Sequence, residues 1–227
     1  MARGARLPDK GTARPRRVTW KAGKVLYRVH SRGRDAASFN DTEVDHHFGG
    51  GRFDSTPNDR YAYLYAAPRE VTALVERLVR DMRFDGRGNP RILPRKEVAG
   101  KRLSQVRLTR DVSLVALLSI PDLNSVQQGD DWLVHAPPTE YAFTRRWGHW
   151  LREEADSAQG FVWMSRLDMP HESLVLFDGG TSGDLVEATG LPPRNLDEPD
   201  HLRWLSRQLR PYGIEIGPPD GGYPAAS

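Results

Sequence analysis

The chain reads as an α+β protein. Many short runs rich in aromatic and β-branched residues alternate irregularly with stretches of helical periodicity, and no internal repeat is present. That mixture suits an α+β fold better than a doubly wound parallel sheet. With 227 residues, 38% hydrophobic and 28% charged, the chain has material for one domain with a real core.

Taken in order, Met1 to Arg17 is rich in Gly, Pro and Arg with few apolar residues, and is expected to be a mobile basic arm. Lys24 to His30 and Tyr61 to Ala66 read as strands, separated by a glycine-rich segment around His47 to Arg52. A helix follows from Pro68, with proline early, where it suits the first turn. Its Val71, Leu74, Val75, Leu78 and Met82 form one core stripe, and Glu76 lies on the flank of that stripe. Arg83 to Lys101 is dense in Gly, Pro and Arg and reads as an exposed excursion. Leu103 to Thr109 alternates as a strand does, and Tyr141 to Glu154 is a second helix, introduced by Pro137-Pro138. Phe161 to Met164 and Ser173 to Phe177 read as strands joined by a turn through Asp168-Met169-Pro170. His201 to Leu209 is a last helix and Tyr212 to Ile216 a last strand. Gly217 to Ser227 is expected to be a mobile tail, which leaves 18–216 as the folded domain.

The net charge of +3 comes from the start of the chain. Arg3, Arg6, Lys10, Arg14, Arg16, Arg17, Lys21 and Lys24 face one acid, Asp9, and the remainder is close to neutral or slightly acidic. Such an arm reads as a solvated tail before it reads as a reader of nucleic acid, so a nucleic-acid partner is not expected. Cysteine is absent, which excludes disulfides, thiolate metal sites and cysteine nucleophiles. No apolar run is long enough for a signal peptide or a membrane span, so the expected location is the cytoplasm.

No G-x-G-x-x-G follows a strand and no G-x-x-x-x-G-K-[ST] occurs, so a nucleotide's phosphates would have to be held by side chains. Arg28, and Arg52 behind Gly49-Gly50-Gly51, are candidates for the pyrophosphate and its ribose, because a guanidinium fork matches phosphate geometry. Tyr65 can pack on a flat heteroaromatic ring. Glu76 can stabilise a cationic sugar as nicotinamide leaves. Together these residues describe a site for NAD, with Glu76 and Arg28 as the catalytic candidates. Asp45-His46-His47 invites a metal reading, but neighbouring side chains diverge and no helically spaced second pair accompanies them, so no metal is expected. His149 and His171 are uncommitted. Tyr141, Trp147 and Trp150 read as a core-facing aromatic stripe of their helix.

Tyr27-Arg28, Gly50-Gly51-Arg52, Tyr65-Ala66 and Glu76 recur in the order of the RES-domain family, which the chain resembles from Val25 to Phe177. The resemblance implies a compact core of mostly antiparallel strands with surrounding helices, like that of ADP-ribosyltransferases, and NAD in a central cleft. It also implies NAD degradation by phosphorolysis or hydrolysis, with inorganic phosphate as one possible acceptor, and an antitoxin protein as partner. Two departures stand out. Phe53-Asp54 occupies the place of the family's Trp-Asn. The family's serine falls on Ser165 as first choice, with Thr144 as the alternative hydroxyl; both are counted as cofactor-binding candidates. Two other readings stay open: transfer of ADP-ribose to a macromolecule, and a non-catalytic nucleic-acid-binding protein using the basic arm.

Overall fold

The computed structural model describes residues 6–45, 47, 49–84, 86–178 and 185–218. In chain order the elements are β1 (Arg17–Trp20), β2 (Val25–Ser31), β3 (Tyr63–Ala66), α1 (Glu70–Leu78), β4 (Arg91–Leu93), β5 (Lys101–Leu108), β6 (Val112–Leu117), α2 (Ile120–Ser125), α3 (Trp132–His135), α4 (Tyr141–Glu154), β7 (Gly160–Met164), β8 (Glu172–Phe177), β9 (Val186–Ala188), β10 (Arg194–Asn195), α5 (Pro199–Leu209) and β11 (Ile214–Ile216). A five-stranded sheet runs β1-β6-β7-β8-β3. A second sheet runs β10-β5-β2, with β9 also on β5, and β11 pairs β4. Among the described residues only β6 with β7 and β11 with β4 pair parallel; the other strand pairs are antiparallel, as expected for the α+β class.

Side chains of the five-stranded sheet alternate between two buried layers. Val115, Leu117, Phe161, Trp163, Val175 and Phe177 meet Trp147, Trp150 and Leu151 of α4. Leu114, Val162, Leu174, Leu176 and Leu64 meet Leu26, Val106 and Leu108 of the second sheet. Burial on both faces explains why these strands read as continuous apolar runs and not as alternating ones. A third layer packs Leu74, Val75 and Leu78 of α1 and Leu205 and Leu209 of α5 against Leu103. The core stripe of α1 and the expected bounds of α4 are as the sequence indicates.

Two stretches differ from expectation. The supposed excursion Arg83 to Lys101 contains β4, buries Leu93 and Val98, and sends the Arg91 guanidinium to the carbonyls of Met82 and Tyr212 at 3.0 and 2.6 Å. Its strand partner, β11, lies over a hundred residues away, so no local pattern reveals the pairing. The basic arm, described from Arg6 onward, lies against the domain. Gly11 donates its N–H to the Glu154 carboxylate at 2.8 and 2.9 Å, Ala13 is buried, and Arg17 opens β1. Arg16 grips the buried Asp122 through two bonds of 2.6 and 2.9 Å. Lys10 and Lys21 likewise pair with Glu153 and Asp111, at 2.8 and 2.7 Å. The expected tail lies outside the described residues after Pro218; Gly217 still donates to the Leu93 carbonyl at 2.9 Å.

Candidate active site

Where β2 and β3 approach, joined by a bridge between Tyr27 and Ala67, a cleft of about 480 Å³ opens between the two sheets and α1. Strand periodicity sends Leu26, Arg28 and His30 to the same side of β2, and Arg28 and His30 line the cleft. Helical periodicity sends Ala73, Glu76 and Arg77 to one face of α1, and Arg80, in the turn beyond it, continues that line. Tyr63 and Tyr65 of β3, Trp163 of β7 and the loop residues Gly50, Gly51 and Asp54 complete the wall.

Glu76 is held through both carboxylate oxygens. Its Oε1 accepts from the Ser165 hydroxyl at 2.7 Å and its Oε2 from Arg52 Nη2 at 3.3 Å. Ser165 is fully buried and also accepts from the Asp168 N–H at 3.3 Å. Arg52 lies behind Glu76, its guanidinium 5.4 Å from the Trp163 ring centroid. Burial depresses its pKa, and the Arg80 charge adds to that while Glu76 opposes it. Thr144 donates to the Arg52 carbonyl at 3.1 Å and is fully buried. Arg52, Ser165 and Thr144, expected to touch the cofactor, are thus not among the residues lining the cleft; they sit behind it, two against Glu76 and one under the arginine loop.

The glycine loop is held from both sides. Arg145 of α4 donates to the carbonyls of Gly49 at 2.8 Å, Gly51 at 3.3 Å and Asp45 at 3.0 Å. Asp54 accepts from the Gly51 N–H at 2.7 Å and from the Tyr65 hydroxyl at 2.9 Å, while the Phe53 N–H donates to the same Tyr65 oxygen at 2.9 Å. Both Asp54 oxygens take donors, which an amide at this position could not do, since only one of its two terminal atoms accepts. A Cβ at Gly51 would stand 2.8 Å from Asp54 Oδ1 and 3.1 Å from Tyr65 Oη, so any larger residue would have to displace the bonded Asp54–Tyr65 pair. Tyr65 reaches the cleft with a phenol already committed to the loop, and burial, then Asp54, raises its pKa well above the usual range.

His30 bonds Ser104 at 2.8 Å across the strand pair; burial, with Arg28 and Arg102 nearby, pushes its pKa down to about 4. Tyr141 donates to Asp81 at 2.9 Å beneath the Arg80 guanidinium, and burial pushes its pKa up to about 12. Trp147 and Trp150 are core, as expected, whereas Tyr141 joins this polar cluster. His149 contacts the Asp54 carbonyl at 3.4 Å and the edge of Tyr61. His171 bonds the Asp168 carbonyl at 2.8 Å. His46 lies outside the described residues and His47 is exposed; among the described residues no group of three His, Cys, Asp or Glu is arranged to hold a metal ion. No described helix is long and apolar enough to cross a membrane.

Arg34, Arg77, Arg80 and Trp163 line the cleft although sequence reading did not select them. Arg77 and Arg80 carried a usable signal, at one and four residues from Glu76; Arg34, in a loop, carried none.

The RES domain family model matches residues 25–205. A chain of the solved structure described as the crystal structure of the M. tuberculosis MbcT-MbcA toxin-antitoxin complex superimposes with a TM-score of 0.52 at 16% identity, covering 75% of this chain and 83% of that one. At that identity the likeness is one of fold. No curated protein matches the sequence.

Proposed function

Because this chain belongs to the RES-domain family, we propose that it consumes NAD by cleaving the nicotinamide-ribose bond, and that it is the toxin of a toxin-antitoxin pair. The observation that carries this reading is Glu76, a carboxylate on the wall of a nucleotide-sized cleft, held on one oxygen by Ser165 and on the other by Arg52. As the C1′–N bond breaks, its electron pair goes to the pyridinium nitrogen and nicotinamide leaves neutral. The ribose carbon becomes cationic, and a fixed carboxylate lowers the energy of that state more than that of the bound substrate. An oxygen of phosphate or water then forms the new bond to C1′; water gives its proton to solvent. Ser165 and Arg52 act on Glu76 by fixing its rotamer, and Asp54 holds the loop that closes the wall.

The MbcT-MbcA structure is that of a toxin-antitoxin complex, which supports a protein partner for this chain too. The deciding experiment is incubation of the purified protein with NAD, with and without inorganic phosphate, and identification of the products. Nicotinamide release is expected without added metal. ADP-ribose phosphate would mark phosphorolysis and ADP-ribose hydrolysis, whereas NAD recovered intact after hours sinks the enzymatic reading.

A further inference from the structure

We propose that Arg34 joins Arg28, already a candidate for the pyrophosphate from the sequence, in seating the diphosphate of the dinucleotide, a role for Arg34 that rests on the NAD reading above. Arg28 is 95% buried by the measure of its 5% exposure, yet its guanidinium meets no described carboxylate: Nη1 donates to the carbonyls of Ala36 and Ser38 at 2.9 and 2.6 Å, and Nε has no partner among the described residues. A buried cation without a counter-ion is costly, and a ligand anion removes that cost. Arg34 adds to the demand. Both line the cleft, and burial first and the Arg34 charge second bring the Arg28 pKa down to about 10.

The loop carrying Arg34 is fixed for this purpose. The two Arg28 bonds hold residues 36 and 38, and Arg102 of β5 donates to the Arg34 carbonyl at 2.6 Å. The Arg34 guanidinium itself makes a 3.0 Å bond to Thr42 but only long contacts to the Phe39 carbonyl at 3.4 Å and to Asp41 at 3.6 Å. The Asp41 side chain is 85% exposed, so that ion pair is solvated and weak. An anion in the cleft can take over both long contacts. The other cations are less suited: Arg52 is committed to Glu76, Arg80 to Asp81 and Tyr141, and Arg77 is exposed to solvent.

The test is titration calorimetry with ADP-ribose, which carries the diphosphate without the scissile bond, on the wild-type chain, Arg34→Gln, Arg34→Lys and Arg52→Lys, alongside NAD turnover. Arg34→Gln is expected to weaken ADP-ribose binding ten-fold or more, to flatten its salt dependence and to raise KM for NAD while kcat changes little. Arg34→Lys should recover part of the affinity, because charge without the fork is half the interaction. Arg52→Lys should lower kcat and leave ADP-ribose affinity within about two-fold. Unchanged affinity in Arg34→Gln, or a larger loss in Arg52→Lys than in Arg34→Gln, overturns the assignment. A wild-type chain that binds ADP-ribose through Arg34 but leaves NAD intact removes the enzyme and keeps the seat; one that releases nicotinamide but binds no ADP-ribose removes the seat and keeps the enzyme.

Discussion

Glu76 and Arg52 are nearly inaccessible, with side chains 9% and 4% exposed, and that burial couples catalysis to stability. Glu76→Gln keeps the shape and an acceptor for Ser165 but strips the buried guanidinium of its counter-charge. Turnover should fall by on the order of 10²-fold or more with little change in NAD affinity, the scale of losing one preorganised electrostatic contact. The same change should lower the unfolding midpoint, since removing one partner of a buried pair costs about 3–5 kcal/mol. Adding Arg52→Gln to it should restore part of the stability and none of the activity. Denaturation followed by circular dichroism, run beside turnover, separates the two effects; a Glu76→Gln variant as active as wild type ends the assignment. Glu70, the other acid of α1, is no substitute, because it pairs with Arg194 at 2.5 Å and is absent from the cleft wall.

At the level of elements, the site depends on how closely strands and loops approach. Gly160 begins β7 where a Cβ would lie 2.1 Å from the Val175 carbonyl oxygen and 3.1 Å from Leu176 Cα, both backbone atoms of β8. Gly160→Ala must therefore push two central strands apart, and it is expected to cost about 1–3 kcal/mol or more, read from the urea midpoint. Trp163 and Ser165 follow on the same stretch, so activity should fall with it. The glycine loop answers to α4 instead. Arg145→Lys keeps the charge but cannot span three carbonyls, so the loop carrying Arg52 and Asp54 should loosen, lowering NAD turnover more than global stability; unchanged turnover would show that the loop holds itself.

For the molecule as a whole, His30 sets an acid limit. Its folded pKa, near 4, lies below the ordinary value of about 6.5, so in the window between them the unfolded chain binds more protons than the folded one. The stabilisation is complete above the upper value and is lost as pH falls towards 4. His149, also lowered by burial, acts in the same direction. The unfolding midpoint should drop between pH 7 and pH 5, and His30→Gln should flatten that drop; an equally steep drop in the variant would place the acid sensitivity elsewhere. The first turns of the chain also belong to this scale. Arg16 satisfies a buried Asp122, and with Ser119 and the Leu118 N–H it holds that carboxyl below the usual range despite burial. Removing residues 1–17 should therefore cost stability, in contrast to a solvated arm.

Periodicity and residue chemistry alone determined the α+β class, the stripe on α1 and the extent of α4, because each depends on neighbours within a few positions, whereas the grouping of Arg28, Tyr65 and Glu76 as one candidate site rested on the resemblance to the RES-domain family. Placing Glu76 off its apolar stripe was enough to separate it from the core-packed face of the helix. Tertiary structure decided which face that was and what stood behind it. Arg52 follows three glycines as a phosphate ligand would, yet Phe53 buries beside Phe161 and Trp163, and this turns the arginine inward onto Glu76. Ser165 and Thr144 could be told apart only once Ser165 stood 2.7 Å from Glu76 and Thr144 under the Arg52 carbonyl. Arg34 is unremarked in the sequence because a loop has no period; what marks it is a buried cation six residues earlier whose Nη1 reaches only backbone carbonyls among the described residues and which the Arg34 charge opposes. Local patterns report on which side chains share a face, whereas counter-charges and close approaches come from segments a hundred residues apart, and only the folded chain brings those together.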